Sequence, residues 1–252
     1  MARKARKTPL RAGRRPQVDF TRHAAIAATL GGEILTGKRA PGSRLPSVEE
    51  MYELFGVSRV VVREVVKTLT AKGLVVSKTK VGTLVLDPSH WNWLDADVLD
   101  WRVRMGLDRA FLEQITEVRL AVEPMAAALS ARHRSRADIT RLRACIAAMR
   151  EAEGDDRLFP EADLAYHLAI GRASGNPLVR SFGAVIKVAL GGLIALSNAS
   201  VKASGGKGHT VSTDRHVAIL KAIEARNEAA ARAAMLRVIV RGRHHAGRKA
   251  MS

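Results

Sequence analysis

Residues 44–86 read RLPSVEEMYELFGVSRVVVREVVKTLTAKGLVVSKTKVGTLVL, and this stretch decides the architecture expected of the chain. Ser47 follows Leu45-Pro46 and suits a helix cap, with Glu49 and Glu50 in the first turn, where the helix dipole favours anions. Met51, Leu54 and Phe55 recur at helical spacing, and Gly56 ends the helix. Ser58 caps a second helix. Val61, Val62, Val65, Val66 and Leu69 form its buried stripe, which leaves Arg59, Arg63 and Lys67 along one exposed edge. Gly73 stops that helix. Leu74-Val75-Val76 and Thr83-Leu84-Val85-Leu86 then flank Lys78-Thr79-Lys80-Val81-Gly82, a predicted hairpin with a basic tip. Two short helices with such an edge, followed by a hairpin, form a device for entering a DNA groove.

This stretch, with Ile34…Gly37 and Pro41-Gly42 before it, resembles the winged helix of the GntR family of bacterial regulators. The matching pieces are Gly42…Leu45-Pro46-Ser47, Gly56-Val57-Ser58-Arg59, Val62-Arg63-Glu64, Leu69, Gly73-Leu74 and Gly82-Thr83. The resemblance implies that Arg59 and Arg63 contact DNA and that Gly82 lets the wing enter the minor groove. The expected DNA-binding set is Arg44, Ser47, Ser58, Arg59, Arg63, Lys67, Lys78, Lys80 and Gly82. Glu49 departs from the pattern, because the family often carries an arginine there. A carboxylate cannot grip a phosphate or a guanine edge, so a different operator preference is expected.

The composition agrees with a polyanionic partner. The 252 residues carry a net charge of +18, and 47% are hydrophobic, enough for a real core. Aromatics make up only 4%, and the abundance of Ala and Leu favours helix. The single Cys145 cannot form an internal disulfide, which fits a reducing cytoplasm. No signal peptide is expected, and the longest apolar run, Val188 to Leu196, is too short to cross a bilayer. No basic amphipathic helix marks a membrane surface as the partner.

The predicted order begins with a disordered basic arm, residues 1–20. Arg3, Lys4, Arg6, Lys7, Arg11, Arg14 and Arg15 there face only Asp19. Residues 21–87 form the winged helix–turn–helix domain, opened by a helix from Arg22 to Thr36. Gly32 to Arg39 nearly spells a phosphate-binding loop. It follows a helix rather than a strand, and Arg39 replaces the Ser or Thr that would hold magnesium. Residues 88–107 read as a linker with a short helix, Val98 to Met105, in which Trp91, Trp93 and Trp101 pack against a domain. The Trp91-Asn-Trp-Leu-Asp pattern is similar to the linker of the family's galactonate-repressor branch. Residues 108–246 are predicted as an all-helical bundle of six helices: 108–133, 136–152, 157–173, 177–200, 210–226 and 228–246. Pro124 should kink the first, and residues 247–252 form a tail. The fold class is therefore mainly α, a winged helix–turn–helix followed by a helical bundle.

Asp163 and His167, four apart, point the same way from one helix, and His216 opens another. An Asp and two His are ligand types for borderline divalent metals, although such a pair is more often a surface ion pair. The order Glu117-Val118-Arg119…Glu123, Asp163…His167, Ser174-Gly175-Asn176-Pro177, His216…Ile219…Ile223 resembles the FCD ligand-binding domain of the FadR branch. That resemblance implies a metal centre of one Asp and three His beside a small carboxylate effector. Asp163, His167 and His216 match its first three ligands, and Val238 stands where the third histidine is expected. Either three protein ligands hold zinc, manganese or nickel, with effector or water completing the shell, or no metal is held. Arg119 matches a cavity arginine suited to a carboxylate, or else pairs with Glu123 at i+4. Asn198 offers a hydroxyl contact or a plain cap.

The reading favoured is a cytoplasmic, homodimeric regulator that binds double-stranded operator DNA and is released by a small carboxylate such as a sugar acid. The alternative is a metal-dependent hydrolase with incidental nucleic-acid binding. It lacks the H-E-x-x-H and G-x-S-x-G signatures, and it leaves the arginine edge and basic wing unexplained.

Overall fold

The structure, a computed structural model, describes residues 16–106, 108–197 and 207–249, and the side chains of residues 22–106, 108–191 and 209–241. The chain divides into two compact units between Asn92 and Trp93.

In the first unit, helix α1 runs Pro16–Leu35, six residues longer at its start than the apolar pattern predicts. Proline is pre-set for a first helical turn, so the helix extends into the segment expected to be a disordered arm. Residues 1–15 of that arm lie outside the described residues. Ile26, Ala27, Leu30, Ile34 and Leu35 face inward, and α1 packs along α3 (Arg59–Ala71). Between them in sequence comes α2 (Val48–Phe55), which packs on α3. Ser47 Oγ accepts from Glu50 N at 3.1 Å and Ser47 N donates to Glu50 Oε2 at 2.6 Å, a reciprocal cap. Gly56 adopts φ 59° at the other end. Ser58 Oγ accepts from Val61 N and starts α3, whose Val61, Val62, Val65 and Leu69 are buried. Strands β1 (Val75–Lys78) and β2 (Gly82–Val85) pair antiparallel, with Val75 opposite Val85 and Lys78 opposite Gly82. The segment before α2 joins them: Leu45 N donates to Thr83 O at 2.8 Å and Val85 N to Ser43 O at 2.9 Å.

The residues expected to form one linker belong to both units. Trp91 is buried and its Nε1 donates to Leu86 O at 3.0 Å, while Asn92 N donates to Lys72 O at 3.0 Å. Trp93 instead lies 6.3 Å from the ring of Phe111 in the second unit. Helix α4 (Ala96–Arg104) is an integral part of that unit: its Leu99 packs with Phe111, Ile115, Val185, Val188 and Ala189.

The second unit is all helix among the described residues. Helix α5 (Arg109–His133) runs through its middle and continues past the buried Pro124. Against it lie α7 (Leu158–Ala173), α10 (Lys207–Glu224) and α11 (Glu228–Lys249), and α6 (Arg136–Glu151) pairs with α7. The predicted helix 177–200 is instead two helices, α8 (Pro177–Ser181) and α9 (Gly183–Ser197). The break sits where Gly183 comes so close to α7 that a Cβ would stand 3.0 Å from Leu168 Cδ2. Helix α11 also reaches into the expected tail. Leu142, Met149, Tyr166, Ile170, Ile219, Ile223 and Met235 form the centre of the core.

Gly73 offers a test of the first unit. It adopts φ 71°, and a Cβ there would stand 2.1 Å from His90 O. Gly73→Ala is expected to destabilise the unit by about 1–3 kcal/mol from backbone strain alone, with the clash adding to it, as measured by chemical denaturation.

Candidate DNA interface and metal centre

The first unit carries the expected basic edge. Arg59, Arg63 and Lys67 are all exposed along α3, at the spacing that puts them on one side of the helix. Arg59 Nε lies 3.9 Å from Glu49 Oε1, and its guanidinium sits 6.0 Å from the centre of the Tyr52 ring. The unusual carboxylate of α2 is thus set beside the first arginine of α3. Lys67 pairs with Glu64 at 2.7 Å. Ser47 and Ser58 accept backbone N–H groups as caps, which leaves each hydroxyl proton able to donate. Lys78 and Lys80 are exposed at the hairpin, where Lys80 adopts φ 63° and Gly82 φ 101°. Arg44 lies across Gly82, with its Cδ 3.4 Å from where a Cβ would be. The gap left by that glycine seats an arginine stem beside the turn of the wing.

The second unit buries an ionisable cluster. Asp163 and His167 project from α7 and His216 from α10, and each offers a ligand atom within 4.8 Å of the others. His216 Nε2 lies 2.9 Å from Asp163 Oδ1, His167 Nε2 lies 3.5 Å from it, and the two Nε2 atoms are 3.3 Å apart. The partners on the far side of each ring fix the tautomers. His216 Nδ1 is 2.8 Å from the Ser212 carbonyl and His167 Nδ1 is hydrogen-bonded to the Glu123 carboxylate; both are acceptors only, so both Nδ1 atoms donate. In the neutral rings, two Nε2 lone pairs then face each other and Asp163 Oδ1, a buried oxygen with no hydrogen-bond partner. Such a convergence of electron pairs is repulsive unless a cation sits within it. The donor set and the orphaned oxygen therefore fit a divalent metal. Val238 offers no ligand and packs, partly buried, against the core.

In the absence of a metal, a proton is the other cation available. Burial opposes charge on His167, but Glu123 and Asp163 outweigh it and raise its pKa from 6.5 to about 9. Burial likewise works against the Glu123 carboxylate, yet His167 and Arg119 hold its pKa at about 2. His216 and His167 keep the Asp163 carboxyl well below the usual range despite its burial. Burial pushes the Tyr166 hydroxyl up, so it stays protonated and donates to His216 O at 3.0 Å.

Arg119 is buried and its Nε donates to Glu123 Oε1 at 2.5 Å, the ion-pair alternative expected from their i, i+4 spacing. A small cavity beside the cluster is lined by Val122, Glu123, Ala126, Ile170, Ile186 and Met235 among others, with room for about one water. Glu123 is the residue that sequence reasoning missed as a functional one. Its i, i+4 relation to Arg119 was visible, but its contact with His167, 44 positions away, was not. Asn198 lies outside the described residues.

A winged helix–turn–helix joined to an all-helical unit with a buried acid–histidine centre defines a class of DNA-binding regulators. Residues 22–85 match the bacterial regulatory proteins of the gntR family, and residues 114–241 match the FCD domain. The chain belongs to the GntR family of transcriptional regulators, in the group that carries an FCD domain. It is 35% identical over 161 residues to the galactonate operon transcriptional repressor of Escherichia coli, spanning 64% of this chain and 70% of that protein. It is 37% identical over 163 residues to the HTH-type transcriptional regulator YieP of the same organism, with the same coverage. The solved structure of Lar, which controls expression of the Listeria monocytogenes agr system, shares the fold at a TM-score of 0.58 and 18% identity, covering 94% of this chain and 99% of that one. Family and relatives are regulators, not enzymes, and the hydrolase alternative has no support. No helix among the described residues is long and apolar enough to cross a membrane.

The raised pKa of His167 sets a pH dependence for the metal-free protein. A histidine whose pKa rises on folding contributes stability that is fully present below its ordinary 6.5 and lost as pH rises through about 9. In excess chelator, the thermal-unfolding advantage of wild type over His167→Gln is therefore expected to shrink across that window.

Proposed function

We propose that this chain is a metal-dependent repressor released from its operator by a small carboxylate effector, of which a sugar acid is the first candidate. The observation that carries the reading is the convergence of Asp163 Oδ1, His167 Nε2 and His216 Nε2 inside the helical unit of a chain whose other unit carries an arginine-edged recognition helix. When bound, zinc, manganese or nickel supplies a Lewis-acidic centre able to take a carboxylate oxygen. With valine at 238, three protein ligands leave the rest of the shell to water or effector. Similarity to the galactonate operon repressor supports a sugar acid. The adjoining cavity has room for about one water, so a larger effector must displace its walls. Arg119 enters this reading through Glu123, to which its Nε is bonded.

DNA is read by a homodimer in the cytoplasm, each winged unit taking half of a near-palindromic site. Arg59 and Arg63 reach base edges. Arg44, Lys67, Lys78 and Lys80 neutralise phosphates, Ser47 and Ser58 donate to them, and Gly82 lets the wing approach the minor groove. The effector acts only by binding two arrangements of the dimer unequally.

Operator titrations test both halves. Arg59→Ala and Arg63→Ala are each expected to weaken specific binding by roughly 1–3 kcal/mol. A sugar acid is expected to lower wild-type operator affinity some 5- to 150-fold. His167→Ala is expected to bind the operator normally, to lose that response, and to lose thermal stabilisation by zinc or manganese. An effector response that survives intact in His167→Ala rules out the metal centre as the sensor.

A further inference from the structure

We infer that Glu123 is a positioning residue for the metal centre: by accepting the His167 Nδ1 proton, and being itself held by Arg119, it aims the bare His167 Nε2 at the metal. This rests on the metal reading above. A buried carboxylate in an aliphatic core is costly to keep, and Glu123 is only 2% exposed. Both of its oxygens are used. Oε1 takes Arg119 Nε, one helical turn away on α5, and Oε2 takes His167 Nδ1 from α7. The Arg119 bond fixes the Glu123 rotamer, and the Glu123 bond fixes the ring.

Without that acceptor, His167 has an alternative. Its Nε2 lies 3.5 Å from Asp163 Oδ1 and could carry the proton toward that carboxylate, which would remove the lone pair a metal requires. His216 does not share this weakness. Its Nδ1 is held by the Ser212 carbonyl on its own helix, an acceptor that no side-chain change removes. One imidazole is thus oriented by backbone and the other by a single side chain. With Val238 in place of a further ligand, misdirecting His167 removes one of three protein donors.

The experiment uses the full chain with zinc as the probe. Zinc affinity is measured by competition with a chromophoric chelator, and imidazole tautomers are read by long-range proton–nitrogen NMR, in wild type, Glu123→Ala, Glu123→Met and Glu123→Gln. Effector-free operator binding controls for folding. Wild type is expected to show His167 protonated on Nδ1 and metallated on Nε2. Glu123→Ala and Glu123→Met are expected to lose about 10- to 100-fold in zinc affinity and, where the metal-free ring is neutral, to shift its proton from Nδ1 toward Nε2. Glu123→Gln keeps an oxygen acceptor without the charge, and is expected to recover the Nδ1–H tautomer and part of the affinity. It also answers the question if the alanine variant fails to fold. Equal losses in the Gln and Met variants would mean that charge rather than positioning matters, and would overturn the inference. Wild-type zinc affinity in a folded Glu123→Ala overturns it as well, while leaving the metal reading intact. A wild-type chain that takes up no zinc overturns both.

Discussion

Five ionisable side chains meet in the aliphatic interior of the helical unit, and their charges are tolerable only as a set. Arg119 balances Glu123, Glu123 orients His167, and His167 and His216 stand over Asp163. Removing one member leaves its neighbours buried and unpaired, which costs far more than the loss of one exposed ion pair. The cluster therefore dictates how α5, α7 and α10 must pack. Arg119 and Glu123 share one face of α5, Asp163 and His167 share one face of α7, and His216 lies on the side of α10 that meets them. Tyr166, next to His167 and fully buried, ties α7 to α10 through the His216 carbonyl.

The winged unit follows the opposite logic. Its apolar interior is assembled from Leu30, Ile34, Leu45, Met51, Val65, Leu69 and Leu74, and although Lys72 is buried, Arg59, Arg63, Lys67, Lys78 and Lys80 stay at the surface. There they remain free to exchange partners, as an interface with a polyanion requires. The 3.9 Å pair between Glu49 and Arg59 is long and exposed, so DNA can break it at little cost.

What the sequence made legible was local. Ser47, Gly56, Ser58 and Gly73 act on backbone within a turn of themselves, so the helices and hairpin of the winged unit followed from spacing alone. The Asp163–His167 pair was visible because i and i+4 share a helix face. Other features depend on partners far along the chain. At the break between α8 and α9, Gly183 meets Leu168 of α7, a contact that no window around residue 183 reveals. Glu123 looked like half of an ordinary salt bridge until folding brought α7 against it. The start of α1 was missed because a polar, basic segment gave no apolar period, although Pro16 suits a first turn.

Trp91 and Trp93 sit two residues apart, yet each is moored to a different unit. Trp91 holds the Leu86 carbonyl and Trp93 stands by Phe111, while the Asn92 amide between them is bonded to Lys72. Only one or two peptides of chain therefore separate the last mooring of the first unit from the first mooring of the second. For protein engineering this fixes the seam: sensor and reader modules exchanged between relatives should be cut at Asn92–Trp93 with both moorings kept.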